Sequence, residues 1–349
     1  MEHNCEFIVH CAPIYTISKW LGRDFLAFKI GTDEAGYGPN LGPLVVTGTL
    51  WKTQACDDDL YQLLAPCVAD QPPGRNNPET QSIAIADSKV VYRSKSIRHL
   101  EKSVLTTLSL VSGTVPRTLR ELTRLVKRDV ADSFFEEIFW LAEGATERVE
   151  LPIECSVDDI ATAADRFLTQ CESSDVSLLA IDTEIVLPED FNYSIARQGN
   201  KANVLSGRTM EVVQRLLRQC DGDVLVDCDK HGGRSRYQHL IEQYLADSAI
   251  EIVKESAEQS AYRWSGDGLE AQIRFTARGE GQLAVALASM VSKYVREVYM
   301  RAWNAYWIGH QEGLKPTKGY PEDAKRFRID IAQTQKRLGI RHEQFWRCR

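Results

Sequence analysis

Apolar, β-branched runs ending in glycine-rich turns alternate along this chain with stretches of helical spacing. "FLAFKIGTD" (Phe25 to Asp33) and "PLVVTGTLW" (Pro43 to Trp51) read as strands. Gly36, Gly38, Pro39, Asn40 and Gly42 lie between them, which is turn chemistry. "QPPGRNNPETQS" (Gln71 to Ser82) is a surface loop by composition, and "SKSIRHLEKSVLTTL" has Ile97, Leu100, Val104 and Leu108 on one helical face. From about Pro116 to Ser174 the pattern is helical, and "SVDDIATAADRFLTQC" opens on a capping arrangement of Ser156 and Asp159. "VSLLAIDTEIVL" predicts a strand, "NVLSGRTMEVVQRLLRQC" an amphipathic helix, and "DVLVDCD" (Asp223 to Asp229) a short strand ending in carboxylates. "SRYQHLIEQYLAD" predicts a helix, and "AIEIVKES" and "LEAQIRFTAR" two further strands. Long helices follow over "GQLAVALASMVSKYVREVYMRAWNAYW" and "EDAKRFRIDIAQTQKRLG". Strands interleaved with helices define an α/β chain, and the early strand–turn–strand makes its sheet mixed.

Composition narrows the class. The 349 residues are 43% hydrophobic and 26% charged, as in an ordinary globular protein, and the net charge of −7 excludes a uniformly basic surface but not a local basic groove. The nine cysteines are irregularly spaced, with no Cys-x-x-Cys. They predict reduced thiols and a cytoplasmic location rather than a zinc cluster or a disulfide framework. "MEHNCEFIVHCAPIYTISKW" does not read as a signal peptide, and no apolar run approaches the roughly 20 residues of a membrane helix.

The turn "IGTDEAGYGPNLGPLVV" holds two adjacent carboxylates, Asp33 and Glu34. Like charges repel, and a turn needs only one such residue. A glycine loop for a dinucleotide or a P-loop would run into a helix, whereas here a strand follows. Carboxylates at strand ends suit a divalent cation instead, and two ions can clamp an in-line phosphoryl displacement if about four carboxylates converge. Asp33, Glu34 and Asp227 at strand ends, with Glu297 from "SKYVREVYM", are the candidates. Singly, each also fits a solvated turn or, for Glu297, a helical pair with Lys293.

The order of the motifs goes further. "GTDEAGYGPNLGPLVV" resembles the first motif of the type 2 ribonuclease H family (ribonucleases HII and HIII), a Gly-x-Asp-Glu-Ala-Gly-Arg-Gly-Pro turn running into a Gly-Pro-Val-Val strand. "ADSKVVYRSKSIRHL" is similar to its Asp-Ser-Lys segment, "NVLSGRTMEVVQRLL" to its Asn-Ile-Leu-x-Ala-Thr helix, and "VLVDCD" to the strand ending in its third acid. "ARGEGQLAVALASMVSKYVREVYM" resembles its Lys-Gly-Asp…Ala-Ser-Ile-Ile-Ala-Lys helix, and "TKGYPEDAKRFRIDIAQTQKRLGIRHEQFW" its closing Lys-Gly-Tyr segment and tail.

The resemblance implies a ribonuclease H-like fold: a mixed five-stranded sheet flanked by helices, with a helical insertion and a C-terminal helical extension. It implies an N-terminal extension (1–24), a catalytic domain in two parts (25–111 and 176–313), an insertion at 112–175 and a basic C-terminal segment (314–349). That last segment holds ten Lys or Arg against four Asp or Glu, and is expected to line a duplex groove. The implied activity is endonucleolytic hydrolysis of RNA in RNA–DNA hybrids, or at ribonucleotides embedded in DNA. It would use two Mg²⁺ or Mn²⁺ ions and leave 5′-phosphate and 3′-hydroxyl ends, with no membrane and no obligate protein partner. Asp33, Glu34, Asp227 and Glu297 take the four acid positions, as catalytic residues and metal ligands. Gly36 and Gly38, flanking Tyr37, would let backbone approach the ribose, Tyr320 would pack at the RNA–DNA junction, and Lys89, Lys293 and Lys318 would contact phosphates.

Departures from the family pattern bear on substrate. Tyr37 replaces an Arg, Glu297 an Asp and Pro321 a Gly, and "DCDKHGGRSRY" replaces an Asp-Gly segment, adding Asp229, Lys230, His231 and Arg234. Tyr37 could stack on a sugar or base, or pack as a turn residue; His231 could assist leaving-group protonation, or be structural. Two alternatives stay open: a non-cleaving nucleic-acid-binding protein on the same fold, and a nuclease of that fold with a shifted substrate.

Overall fold

The computed structural model describes residues 27–73, 82–92, 96–142, 149–266 and 269–348. The expected N-terminal extension, most of the Gln71–Ser82 loop, Cys5, Cys11 and Arg349 lie outside them. The strands are β1 (Ala27–Ala35), β2 (Leu44–Thr53), β3 (Val68–Ala69), β4 (Ile83–Ala84), β5 (Ser177–Val186), β6 (Asp223–Asp229), β7 (Glu251–Glu255), β8 (Gln259–Gly266) and β9 (Leu269–Thr276). Seven form one sheet in the order β5-β2-β1-β6-β9-β8-β7, and β3 and β4 form a separate pair. β1, β6 and β9 run parallel, and the other neighbours in the sheet are antiparallel.

The mixed α/β class is as the sequence predicts, but the sheet has seven strands rather than five. "QSAYRWSG" was not read as a strand. It is β8, whose antiparallel pairing with β7 and β9 extends the sheet past the parallel strands. β7 is exposed along its length, and Glu251, Lys254 and Glu255 charge that edge, which discourages further pairing.

One face of the sheet is covered by the 28-residue helix Leu283–His310, here called the central helix, and the other by the helix Lys201–Leu217. The central helix is apolar nearly all round because it is buried nearly all round. It approaches β1 so closely that a Cβ at Gly31 would lie 2.1 Å from the carbonyl carbon of Ala284. Only glycine tolerates that contact.

The 112–175 segment packs into the same core. Leu119, Leu122, Trp140 and Phe167 belong to the buried cluster of the central helix, and the Ser156 side chain caps the helix Val157–Ser173 by accepting from Asp159 N at 3.0 Å. The carboxylate of Glu101, fully buried, accepts from the backbone N–H groups of Ile153, Glu154 and Cys155 at 2.6, 2.6 and 2.9 Å and from the Tyr294 hydroxyl at 2.9 Å. It fastens the segment to the helices beneath it.

Candidate active site

β1 carries Asp33 and Glu34 to its C-terminal end, where the chain turns towards β2. The Ser292 hydroxyl, on the central helix, lies 3.1 Å from the Asp33 carbonyl oxygen and 2.8 Å from the Thr47 hydroxyl, fixing the strand end against the helix. Gly36 follows with φ of +89°, and a Cβ there would lie 2.5 Å from the Pro43 carbonyl oxygen.

Two buried guanidinium groups organise this turn from behind. Arg296 donates to the carbonyl oxygens of Pro43 (2.9 Å), Leu41 (3.2 Å) and Lys318 (3.1 Å). Arg347 donates to the carbonyl oxygens of Gly36 and Pro39, and its own N–H to that of Asn40 at 2.9 Å. Gly319 completes the seat, its carbonyl oxygen accepting from Asn40 N and Leu41 N at 2.8 and 3.3 Å. Burial lowers both guanidinium pKa values, that of Arg296 to about 10; backbone carbonyls replace lost water at Arg296 and at Nη2 of Arg347, whose Nε and Nη1 are buried without a hydrogen-bond partner among the described residues.

Four carboxylates face one another here: Asp33, Glu34, Asp229 and Glu280. Burial first, and then repulsion from Glu34, Asp229 and Glu280, pushes Asp33 well above the ordinary carboxylate range. Burial and Asp229 push Glu34 up to about 7, against a side-chain hydrogen bond with Asp33; separately, Glu34 N donates to Asp33 Oδ1 at 2.7 Å. Burial also raises Glu280, with Asp229 among its repulsive neighbours. Asp229 ends β6 and accepts from Gly279 N at 3.0 Å. That bond holds the short turn Gly279–Gly281, entered through a left-handed Arg278 (φ 64°), against β6, so Glu280 stands just before the central helix.

Of the four predicted acids, the structure brings together Asp33 and Glu34 and leaves Asp227 and Glu297 outside the cluster. The parallel register of β1 and β6 explains the first difference. Asp227 pairs with Gly31, two residues short of Asp33, so its same-face neighbour Asp229 comes level with the strand end. Asp227 is taken instead by Arg274 on β9, which donates to both its oxygens at 2.7 and 2.8 Å. Glu297 accepts from Lys293 Nζ at 2.5 Å and from the Tyr92 hydroxyl at 3.3 Å. Against the effect of burial, Lys293 holds that carboxyl below its usual range.

The two further acids of the cluster had signals in the sequence. Asp229 is the second acid of "VDCD", on the same strand face as the first. Glu280 sits in "RGEG", where the resembled family has Lys-Gly-Asp.

The predicted substrate residues surround this edge. Lys89 Nζ is exposed, 3.8 Å from Glu280. Lys293 and Lys318 lie over the Tyr92 ring, 4.7 and 5.1 Å from its centroid. Gly38 is exposed with open space where a Cβ would go, and Tyr37 lies half-buried beneath Lys201. Tyr320 is 52% exposed and extended (φ −68°, ψ 155°) just before Pro321. His231 is structural: its Nδ1 meets the Ser206 hydroxyl at 2.9 Å, and burial lowers its pKa to about 3, leaving it neutral.

Several basic residues of the C-terminal segment are paired or internal, although ten Lys or Arg against four Asp or Glu leave it a positive surplus. Lys325 pairs with Glu322, Arg326 with Asp323 and Asp330, and Arg341 with Glu189, while Arg347 is internal.

All-oxygen carboxylate donors suit Mg²⁺ or Mn²⁺ rather than a thiolate-seeking metal. Among the described residues no three acidic, histidine or cysteine side chains stand at ligating separation, so an ion would have to draw these carboxylates inward. The seven described cysteines are free, and no described helix is long and apolar enough to cross a membrane.

Neither a protein-family model nor a curated protein sequence matches the chain. Among solved structures it is similar to RNase HII in the PCNA:RNase HII complex from Archaeoglobus fulgidus (15% identity, TM-score 0.38, covering 92% of this chain and 94% of that one). It is also similar to ribonuclease H2 from Pyrococcus horikoshii OT3 (12%, 0.38, 91% and 92%) and to Bst-RNase HIII in complex with Mn²⁺ (12%, 0.35, 96% and 70%). Similarity at this level assigns no activity.

Proposed function

We propose that this protein is a divalent-cation-dependent endonuclease of the type 2 ribonuclease H kind, hydrolysing RNA in RNA–DNA hybrids or at ribonucleotides embedded in DNA. The observation that carries the reading is the meeting of Asp33, Glu34, Asp229 and Glu280 at one end of the parallel strands, three of them pushed towards protonation. Positive charge in their midst would relieve that repulsion. These four residues would hold the ions, which when bound would supply charge stabilisation and an activated water for phosphodiester hydrolysis.

The remaining steps belong to the chain itself. The Gly36–Tyr37–Gly38 backbone, fixed from behind by Arg296 and Arg347, offers main-chain groups to a ribose 2′-hydroxyl, the group that distinguishes RNA from DNA. Tyr320, exposed and extended beside that turn, is available to stack on the adjoining sugar. Lys89, Lys293 and Lys318 supply phosphate contacts that position a duplex without reading its sequence.

The deciding experiment compares cleavage of an RNA–DNA hybrid, of DNA with one embedded ribonucleotide, and of plain DNA, each with Mg²⁺ or Mn²⁺. Cutting of either ribonucleotide substrate, lost in Asp33→Asn, supports the proposal. Cutting of plain DNA alone favours the shifted-substrate reading, and binding without any cutting favours the non-cleaving one.

A further inference from the structure

A second group of cations borders the acid cluster on the opposite face of the sheet from Lys293 and Lys318. Tyr37, three residues beyond Glu34, packs against the core under the helix Lys201–Leu217. Lys201, the first residue of that helix, holds its Nζ over the Tyr37 ring, 4.6 Å from the centroid. Arg234, from the loop after β6, donates through Nη2 to Asn203 Oδ1 at 2.6 Å, one residue pair along the same helix. Asn203 is itself fixed, its N–H donating to the Asn200 cap at 2.9 Å and its Nδ2 to the Gln198 carbonyl at 2.8 Å.

The charges of these two residues are unspent. Around the acid cluster Lys293 is paired with Glu297, Arg274 with Asp227 and Lys89 with Glu280. Among the described residues neither Lys201 nor Arg234 meets a carboxylate; an aromatic face holds one and a neutral amide the other. Neither contact cancels charge, and both fix it in position. Two ordered, half-buried, unneutralised cations, one over the Tyr37 ring three residues beyond Glu34 and one five residues beyond Asp229, suit an external anion that spans the cluster. On the other face Lys293 and Lys318 flank Tyr92 in a similar cation–aromatic arrangement. A polyanion crossing the strand ends would therefore meet fixed cations from both faces of the sheet.

We infer that Lys201 and Arg234, steadied by Tyr37 and Asn203, form a second phosphate subsite, gripping the nucleic-acid backbone on the side opposite Lys293 and Lys318. The inference rests on the proposed function for its ligand, a duplex containing ribonucleotides. Tyr37 and Arg234 stand where this chain departs from the resembled family, so the subsite bears on how this chain in particular seats its substrate.

The test is binding of a short fluorescent RNA–DNA hybrid to the full chain in Ca²⁺, measured by anisotropy over a range of salt, for wild type, Lys201→Gln, Arg234→Gln and the double variant. Each single change is expected to weaken binding about tenfold at low salt and to reduce the slope of log K against log salt by about 1, with the melting temperature unchanged. Additive losses in the double variant support two separate phosphate contacts. Unchanged affinity and slope in both single variants, with wild type binding normally, overturn the subsite and leave the proposed function standing. A wild type that binds the hybrid but does not cut it in Mg²⁺ overturns the proposed activity and leaves the subsite testable by the same slopes. A wild type that does not bind the hybrid overturns both.

Discussion

Arg274 grips both oxygens of Asp227, at 2.7 and 2.8 Å, and so removes from the acid cluster the carboxylate that the motif order had placed there. Asp229 and Glu280 should therefore behave as catalytic acids, and Asp227 and Glu297 should not. Asp229→Asn and Glu280→Gln are expected to lower the cleavage rate about a hundredfold or more, as Asp33→Asn should. Glu297→Gln should retain measurable turnover. Asp227→Asn should cost about 2–3 kcal/mol of stability, since Arg274 and the nearby buried Lys29 lose their counter-charge. Rates and urea midpoints for the five variants check this, and a dead Glu297→Gln beside an active Glu280→Gln would reverse the assignment.

The cluster also fixes a pH dependence. The Glu34 pKa is raised from 4.5 to about 7 in the folded state, and that of Asp33 is raised further from its ordinary value. Between pH 4.5 and about 7 the folded protein holds protons that the unfolded chain has released. Without divalent ions, stability should thus fall as pH rises through that window and go on falling until Asp33 too has ionised. Mg²⁺ at pH 8 should restore it, and Asp33→Asn should flatten the fall. Melting temperatures from pH 4 to 8, with and without Mg²⁺, read this directly; a flat metal-free profile contradicts it.

Tyr320 is exposed, so Tyr320→Ala should leave the melting temperature near that of wild type, within the ~0.5 kcal/mol usual for surface changes. It is expected to reduce cleavage at a lone embedded ribonucleotide more than within a long hybrid, where other registers remain. Equal loss on both substrates would remove it from the recognition site.

Arg347→Met should be among the most destabilising changes in the C-terminal segment. It leaves the buried carbonyl of Pro39 and the part-buried one of Gly36 without this donor, a cost of about 2–3 kcal/mol, and loosens the turn that follows the acid pair. A urea midpoint within error of wild type would show that the turn holds without it.

The α/β class, six of the strands and the turn bearing Asp33 and Glu34 were legible because period-2 apolar runs and glycine punctuation are local signals. β8 was not legible, because much of its burial comes from strands paired on either side. Nor was the clustering of the acids: that Asp229 rather than Asp227 comes level with Asp33 follows from the β1–β6 register, and that Glu280 joins them follows from the fold of the turn before the central helix. Nor could a count of charges reveal which residues of the basic tail have partners, since Arg341 pairs with Glu189 of a distant helix and Arg347 is internal.

Arg347 reaches back 311 positions to Gly36. During synthesis Asp33 and Glu34 leave the ribosome early, with β1 and β2, but the turn behind them cannot close until residue 347 has emerged. A chain lacking residue 347 would carry the first two acids on a loop without this fastening, so the seating of this turn reports that residue 347 is present and in place.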